Sequence, residues 1–392
     1  MIDYNKVLNP KVLNVKPSGI RKFFDIAESM EEVISLGVGE PDFQTPWHIR
    51  QAGIASLQEG KTRYTSNWGL KALREEISKY IKSNLGVEYC PENEILVSVG
   101  GSEAIDAAIR ALVTTGDEVI IPQPSFVCYT PITELSGGIP VIIPMKAEND
   151  FKLTADELRA HITDKTKVLI LPFPGNPTGG IMEEKDLLEI AEVLRDTDIM
   201  VISDEIYSEL TYSGKHSSII SIDGMRERTV LINGFSKTYS MTGWRLGYAC
   251  GPAPVLQQMT KIHQFAIMSA PSTSQYAAIE ALKNGRKDIE EMLEEYDTRR
   301  RFVVHTLRKM GLDCHEPLGA FYVFPSIKKT GMSSDEFCEK LLCEKHVAIV
   351  PGTAFGDSGE GYVRVSYCYS VEHLKEALRR IEEFLKENNL IK

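Results

Sequence analysis

The sequence is poor in the features that mark several functional classes. Its cysteines number 7 in 392 residues, an odd and scattered set without a CxxC pair. Neither a disulfide framework nor a zinc site is expected, and the chain reads as a protein of the reducing cytoplasm. The 8 histidines show no HExxH-like spacing, so no metal centre is expected. No apolar run approaches the roughly 20 residues that cross a bilayer. The opening MIDYNKVLNPKVLNV lacks the basic-then-apolar layout of a secretory signal. Positive charge is short as well: 44 Lys and Arg against 55 Asp and Glu leave a net charge of −11. Such a chain is poorly suited to nucleic-acid phosphates or anionic lipid, so neither nucleic acid nor membrane is an expected partner.

What remains is ordinary globular composition, 43% hydrophobic and 25% charged, which excludes disorder and coiled coil. The length exceeds one ordinary core. The patterning predicts an N-terminal arm with part of a small domain over 1–44, a large domain over 45–285 and a C-terminal small domain over 286–392. In the large domain strands and helices alternate. Strands are expected at 94–99, 118–121, 141–143, 167–171, 199–203, 229–233 and 244–250, with helices at 69–84, 102–113, 126–135 and 183–195. Thr154 and Glu157 read as a capping box opening another helix. Near-continuous apolar strands separated by amphipathic helices predict an α/β fold whose mainly parallel sheet is sandwiched by helices. After about residue 280 a long charged helix (287–310), short strands near 320–324, 348–350 and 361–366, and helices at 334–345 and 371–387 predict a smaller α+β domain.

Ligands of open parallel sheets sit at the carboxyl ends of strands, so the residues there carry the argument. Gly100-Gly101-Ser102-Glu103 opens a helix with small residues and free N–H groups that suit a phosphate; alone, Ser102 could equally be a plain N-cap. Asp204 and Glu205 end a buried strand, with Tyr207 just beyond. An acid there is costly unless it meets a cation, and ion-pair, metal and cofactor roles are all open. Lys237 follows the next strand among apolar and small residues, where an amine loses its proton easily and can form a Schiff base. Ser236 precedes it, Arg245 lies eight residues on, and Asn176 sits in a fourth strand-end turn. Taken singly, Lys237 could be a salt-bridged surface lysine, Phe126 ordinary core, Tyr64 a packing aromatic and Arg364 a surface ion pair. Together they are the groups that pyridoxal 5'-phosphate needs: phosphate donors, a carboxylate for the pyridine nitrogen, donors for the phenolic oxygen and an amine for the aldehyde.

The chain resembles the fold-type I aminotransferases of class I/II, the aspartate aminotransferase superfamily in its bacterial and archaeal branch. The resemblance runs from about Ser18–Arg21 (SGIR) to the C-terminal helix. Its motifs are Gly37–Phe43 (GVGEPDF), Tyr64–Gly69 (YTSNWG), Gly100–Ala104 (GGSEA), Pro174–Gly179 (PGNPTG), Ser203–Tyr207 (SDEIY), Ser236-Lys237 with Gly243-Trp244-Arg245, and Tyr362–Ser366 (YVRVS). It implies that Lys237 holds pyridoxal phosphate through a Schiff base and serves as the general base. Asp204 would pair with the ring nitrogen, and Asn176 and Tyr207 would bond the phenolic oxygen. Gly101, Ser102, Glu103, Ser236 and Arg245 would hold the phosphate, and Phe126 would stack on the ring. Arg364 would clamp the substrate carboxylate, assisted by Asn176 and the Gly39 backbone. Tyr64 would reach a partner's phosphate across a homodimer with shared sites.

The implied reaction moves an amino group between an L-amino acid and a 2-oxo acid, with 2-oxoglutarate as one partner. The donor stays open among aromatic, alanine-like, aspartate and diaminopimelate-type amino acids. Some aspartate-using relatives carry a lysine after the Gly-Gly of the phosphate loop. Here Ser102 stands there, and Gln264–Gln275 (QFAIMSAPSTSQ) holds no Arg or Lys. Both departures point away from a dedicated aspartate enzyme. Three alternatives are weighed: a carbon–sulfur β-lyase on the same scaffold, a non-enzymatic pyridoxal-phosphate-binding regulator domain, and a nucleotide-binding protein.

Overall fold

A computed structural model describes residues 2–17, 19, 30 and 32–390. The SGIR motif lies, apart from Gly19, outside the described residues. A short strand, β1 (Ile34–Ser35), precedes the main sheet. That sheet has seven strands: β2 (Ile95–Ser98), β3 (Glu118–Gln123), β4 (Ile139–Pro144), β5 (Thr166–Leu171), β6 (Met200–Asp204), β7 (Thr229–Gly234) and β8 (Gly247–Cys250), in the order β2-β8-β7-β6-β5-β3-β4. The five strands from β7 to β4 are parallel neighbours. Val168–Leu171, Val201–Ser203 and Val230–Ile232 are buried along their whole length, as strands covered on both faces must be. The α/β fold with a mainly parallel, helix-covered sheet expected from the sequence is the one found.

β8 runs antiparallel to both β7 and β2. The segment joining it to β7 contains no helix to carry the chain back across the sheet, so the chain returns in the opposite sense. The strand expected from Trp244 starts only at Gly247, because Arg245 has φ 50° and ends a turn. The helix expected from Phe126 starts at Tyr129, since the Ser125 amide donates instead to Phe355 O at 3.1 Å. Helices Trp47–Gln58, Ala253–Ala266 and Ser272–Asn284 carried no clear sequence signal. The last buries Ser274, Gln275, Ala277, Ala278 and Ala281, small or polar residues that leave a weak apolar stripe.

The C-terminal part forms a second, antiparallel sheet of β9 (Tyr322–Val323), β11 (Val350–Pro351) and β12 (Val363–Ser366), in the order β11-β12-β9. β10 (Val347–Ala348) pairs in parallel with β1, which ties the N-terminal segment to this part. Helices Arg286–Lys309, Ser334–Lys345 and Val371–Glu387 cover it. The last buries Leu374, Ala377, Leu378, Ile381, Phe384 and Leu385, a helical stripe in which each large side chain contributes about 1.5–3 kcal/mol of burial.

One close approach fixes the site. A Cβ on Gly247 would lie 2.7 Å from Gly100 C and 2.8 Å from Gly101 N, both backbone atoms. Gly247→Ala is therefore expected to cost about 1–3 kcal/mol by forcing β8 away from that turn. The thermal midpoint of the variant should fall; an unchanged midpoint would count against the packing described.

Candidate active site

The carboxyl ends of β2, β5, β6 and β7 and the start of β8 meet at one edge of the sheet, and a cavity of about 280 Å³ opens there. All but two of the site residues expected from the sequence line it: Gly39, Gly101, Ser102, Phe126, Asn176, Asp204, Tyr207, Ser236, Lys237, Arg245 and Arg364. Strands β5, β6 and β7 contribute through the turns that follow them, and β12 brings Arg364 from the other side.

Asp204 ends β6 and is 7% exposed. Its Oδ2 accepts from the Tyr129 hydroxyl at 2.6 Å and its Oδ1 from the Ile206 amide at 3.3 Å. Burial pushes its pKa up to about 6, against the lowering effect of the Tyr129 hydrogen bond. No cation pairs with it among the described residues. Lys237 follows β7, and its Nζ donates to Gly39 O at 2.6 Å. Burial pulls its pKa down to about 8.

The helix Gly101–Leu112 begins without a side-chain cap on Gly100, whose φ is 84°. Its first-turn N–H groups and the side chains of Ser102, Ser236 and Arg245 face one end of the cavity. A Cβ at position 100 would stand 2.8 Å from Arg245 Nη2, so glycine is needed for this approach. Arg364 is 3% exposed and lies between the rings of Tyr322 and Phe355, at 4.4 and 4.7 Å from their centroids. Its Nη1 donates to Asn176 Oδ1 at 2.8 Å and its Nη2 to Gly37 O, while its buried Nε has no partner among the described residues. The Tyr207 and Tyr322 hydroxyls share a hydrogen bond at 2.9 Å. Burial raises both phenols, that of Tyr322 to about 12.

Two expected residues lie elsewhere. The Glu103 carboxylate turns away from the cavity to the Val99 amide (2.7 Å) and His263 Nδ1 (2.8 Å), which leaves only its backbone for a phosphate. Tyr64 is 84% exposed and outside the cavity. The structure also adds residues that sequence reasoning missed. Tyr129 stands three residues after Phe126, Tyr322 sits in the short strand expected at 320–324, and the Gly37 carbonyl carries no side-chain signal at all.

Neither Asp204 nor Lys237 forms an ion pair among the described residues, and the groups around them match one molecule. Asp204 lacks a cation such as a protonated ring nitrogen, Lys237 is an amine readied for an aldehyde, and the uncapped helix start with its hydroxyls and guanidinium lacks an anion. The donor set fits pyridoxal 5'-phosphate, and the class this defines is a pyridoxal-phosphate-dependent enzyme on a mainly parallel α/β sheet.

Comparison with known proteins narrows the class. Residues 31–381 match the family described as aminotransferase class I and II. The chain is 53% identical to the putative aminotransferase YugH of Bacillus subtilis, covering 96% of this chain and 98% of that protein. It is 48% identical to an aspartate aminotransferase of Pyrococcus abyssi, covering 96% and 97%. A crystal structure of an aromatic aminotransferase from Pyrococcus horikoshii superposes with a TM-score of 0.90 at 46% identity, covering 94% of this chain and 100% of that one. The chain belongs to the class I and II aminotransferase family and is a pyridoxal-phosphate-dependent transaminase. These relatives support transamination and not the lyase alternative.

The depressed amine gives a pH signature. The neutral amine is the nucleophile, so the initial rate at which cofactor-free protein develops visible absorption with pyridoxal should rise with pH and level off above about 8. A rate that climbs until the 10.5 of an ordinary lysine would contradict the burial argument.

Proposed function

We propose that the enzyme transfers the amino group of an apolar or aromatic L-amino acid to a 2-oxo acid. The supporting observation is the cation inventory of the cavity. Its lining holds three cationic side chains, Lys237, Arg245 and Arg364. On this reading they serve the aldehyde, the phosphate and the α-carboxylate. None is left among the described residues for a second carboxylate on the donor, and Ser102 stands where some aspartate-using relatives carry a lysine. The remaining wall, with Val38, Pro172, Ile105 and Tyr322, is apolar or aromatic.

Residue roles follow from placement. Bound pyridoxal phosphate would supply an electron sink for the substrate α-carbon. Asp204 keeps the ring nitrogen protonated, and its buried position strengthens that attraction. Asn176 and Tyr207 donate to the phenolic oxygen, and Phe126 covers a ring face. The first-turn N–H groups of Gly101, Ser102 and Glu103, with the Ser102 and Ser236 hydroxyls and Arg245, hold the phosphate. Arg364 receives the α-carboxylate with its fork, assisted by Asn176 and the Gly39 backbone, and its orphaned Nε marks unused donor capacity. Nζ of Lys237 would take the α-proton from the substrate and deliver it to the carbon that was the cofactor's aldehyde, two atoms away.

The division of the chain near residues 44 and 285 belongs to the same reading, and so does a cytoplasmic homodimer. No helix among the described residues is long and apolar enough to cross a membrane. Tyr64, Phe265 (88%) and Met268 (48%) are exposed, and their two segments meet where Asn67 Nδ2 donates to Met268 O at 2.7 Å. Apolar side chains grouped in this way favour burial against a second copy, where Tyr64 would meet the partner's phosphate.

A panel of amino donors with 2-oxoglutarate, oxaloacetate and pyruvate tests the substrate reading. Aromatic or aliphatic donors should exceed aspartate in kcat/KM by about tenfold or more, the ~1.4 kcal/mol that one unpaired buried carboxylate readily costs. Aspartate as the best donor would overturn it.

A further inference from the structure

Behind the start of helix Gly101–Leu112 lies a carboxylate–imidazole pair that the chemistry above does not use. Glu103 occupies the third residue of that helix. Its Oε2 accepts from the Val99 amide at 2.7 Å, one residue before the cap position, and its Oε1 lies 2.8 Å from His263 Nδ1. His263 comes from helix Ala253–Ala266 and is fully buried, and its Nε2 has no partner. The contact with Glu103 is therefore the only hydrogen bond of its ring among the described residues.

The turn that this pair grips packs against Gly247 and is otherwise held by few side chains. Gly100 adopts φ 84° and ψ 168° with no side-chain cap. Ser98 Oγ donates to Gly100 O at 3.0 Å, and a Cβ on Gly100 would meet Arg245 Nη2 at 2.8 Å. A carboxylate in the first turn of a helix would ordinarily compete with a bound anion for the free N–H groups and repel it. Here both oxygens are engaged on the far side, and the imidazole holds them there. We propose that Glu103 and His263 are positioning residues for the phosphate turn: they aim its first N–H groups into the cavity and keep the carboxylate away from the cofactor phosphate. This rests on the reading that the phosphate sits at this helix start.

The effect should then depend on the phosphate. Cofactor-free parent and variants would be titrated by visible absorption with pyridoxal phosphate and with pyridoxal, which lacks the phosphate. The parent should bind pyridoxal phosphate far more tightly. Glu103→Ala and His263→Leu should weaken pyridoxal phosphate by about tenfold or more and pyridoxal by less than about twofold. His263→Asn, whose amide N–H can stand in for Nδ1–H, should keep the parent's ratio of affinities. Should Glu103→Ala not fold, His263→Leu carries the same expectation. Equal weakening of both aldehydes would reveal a general structural role and overturn the proposal, as would an unchanged affinity for pyridoxal phosphate. A parent that binds both aldehydes alike would overturn the phosphate assignment beneath it, and this proposal with it.

Discussion

Two opposite charges are buried at the ends of neighbouring strands without touching each other, and the rest of the site is arranged around that constraint. Asp204 closes β6, paired in register with Ile232 of β7, and Lys237 lies five residues beyond that partner. Burying a lone charge costs several kcal/mol, and each group yields to that cost in its own direction. The carboxyl moves up to about 6 and the amine down to about 8. A direct ion pair would remove the tension but would also consume both groups. The protein instead gives Asp204 a phenol and Lys237 a backbone carbonyl, neutral partners that orient each group and leave its charge to be met by a ligand.

The N-terminal segment has a matching task. Residues 36–42 lie across the cavity mouth between the central sheet and the C-terminal part. Gly39 O receives Lys237, and Gly37 O receives Arg364. The segment is held from behind by Arg299, whose Nη1 donates to Asp42 at 2.8 Å, by Cys368 Sγ on Glu40 O at 2.9 Å, and by Leu36, whose amide donates to Ala348 O and whose carbonyl accepts from Ser366. Both cations proposed to meet substrate are thus capped by carbonyls of one short stretch.

Much of this was legible in the sequence, for a physical reason. Parallel strands buried on both faces read as apolar runs, and the residue after each run must lie at the same sheet edge. The chemistry of Asp204, Asn176, Ser236 and Lys237 could therefore be gathered on one line before any coordinates. The family motifs added Arg364, Tyr64 and Phe126. What stayed hidden depends on contacts between distant segments. The Tyr129 hydroxyl on Asp204, the Tyr207–Tyr322 pair and the Glu103–His263 pair join residues 75, 115 and 160 positions apart. Glu103 is instructive: its place in the phosphate loop suggested a phosphate contact, yet a carboxylate at the third helical residue has a nearer donor behind it. Helix Ser272–Asn284 was missed because alanine, serine and glutamine bury well without producing an apolar period.

The central claim is that the amine of Lys237 is the one covalent attachment point for pyridoxal phosphate, opposite the buried carboxylate of Asp204. Borohydride reduction of the cofactor-loaded protein, followed by peptide mass mapping, tests it most directly. The account predicts a phosphopyridoxyl group on the peptide containing Lys237 and on no other lysine in comparable yield. An adduct elsewhere, or none in protein supplied with the cofactor, would contradict it.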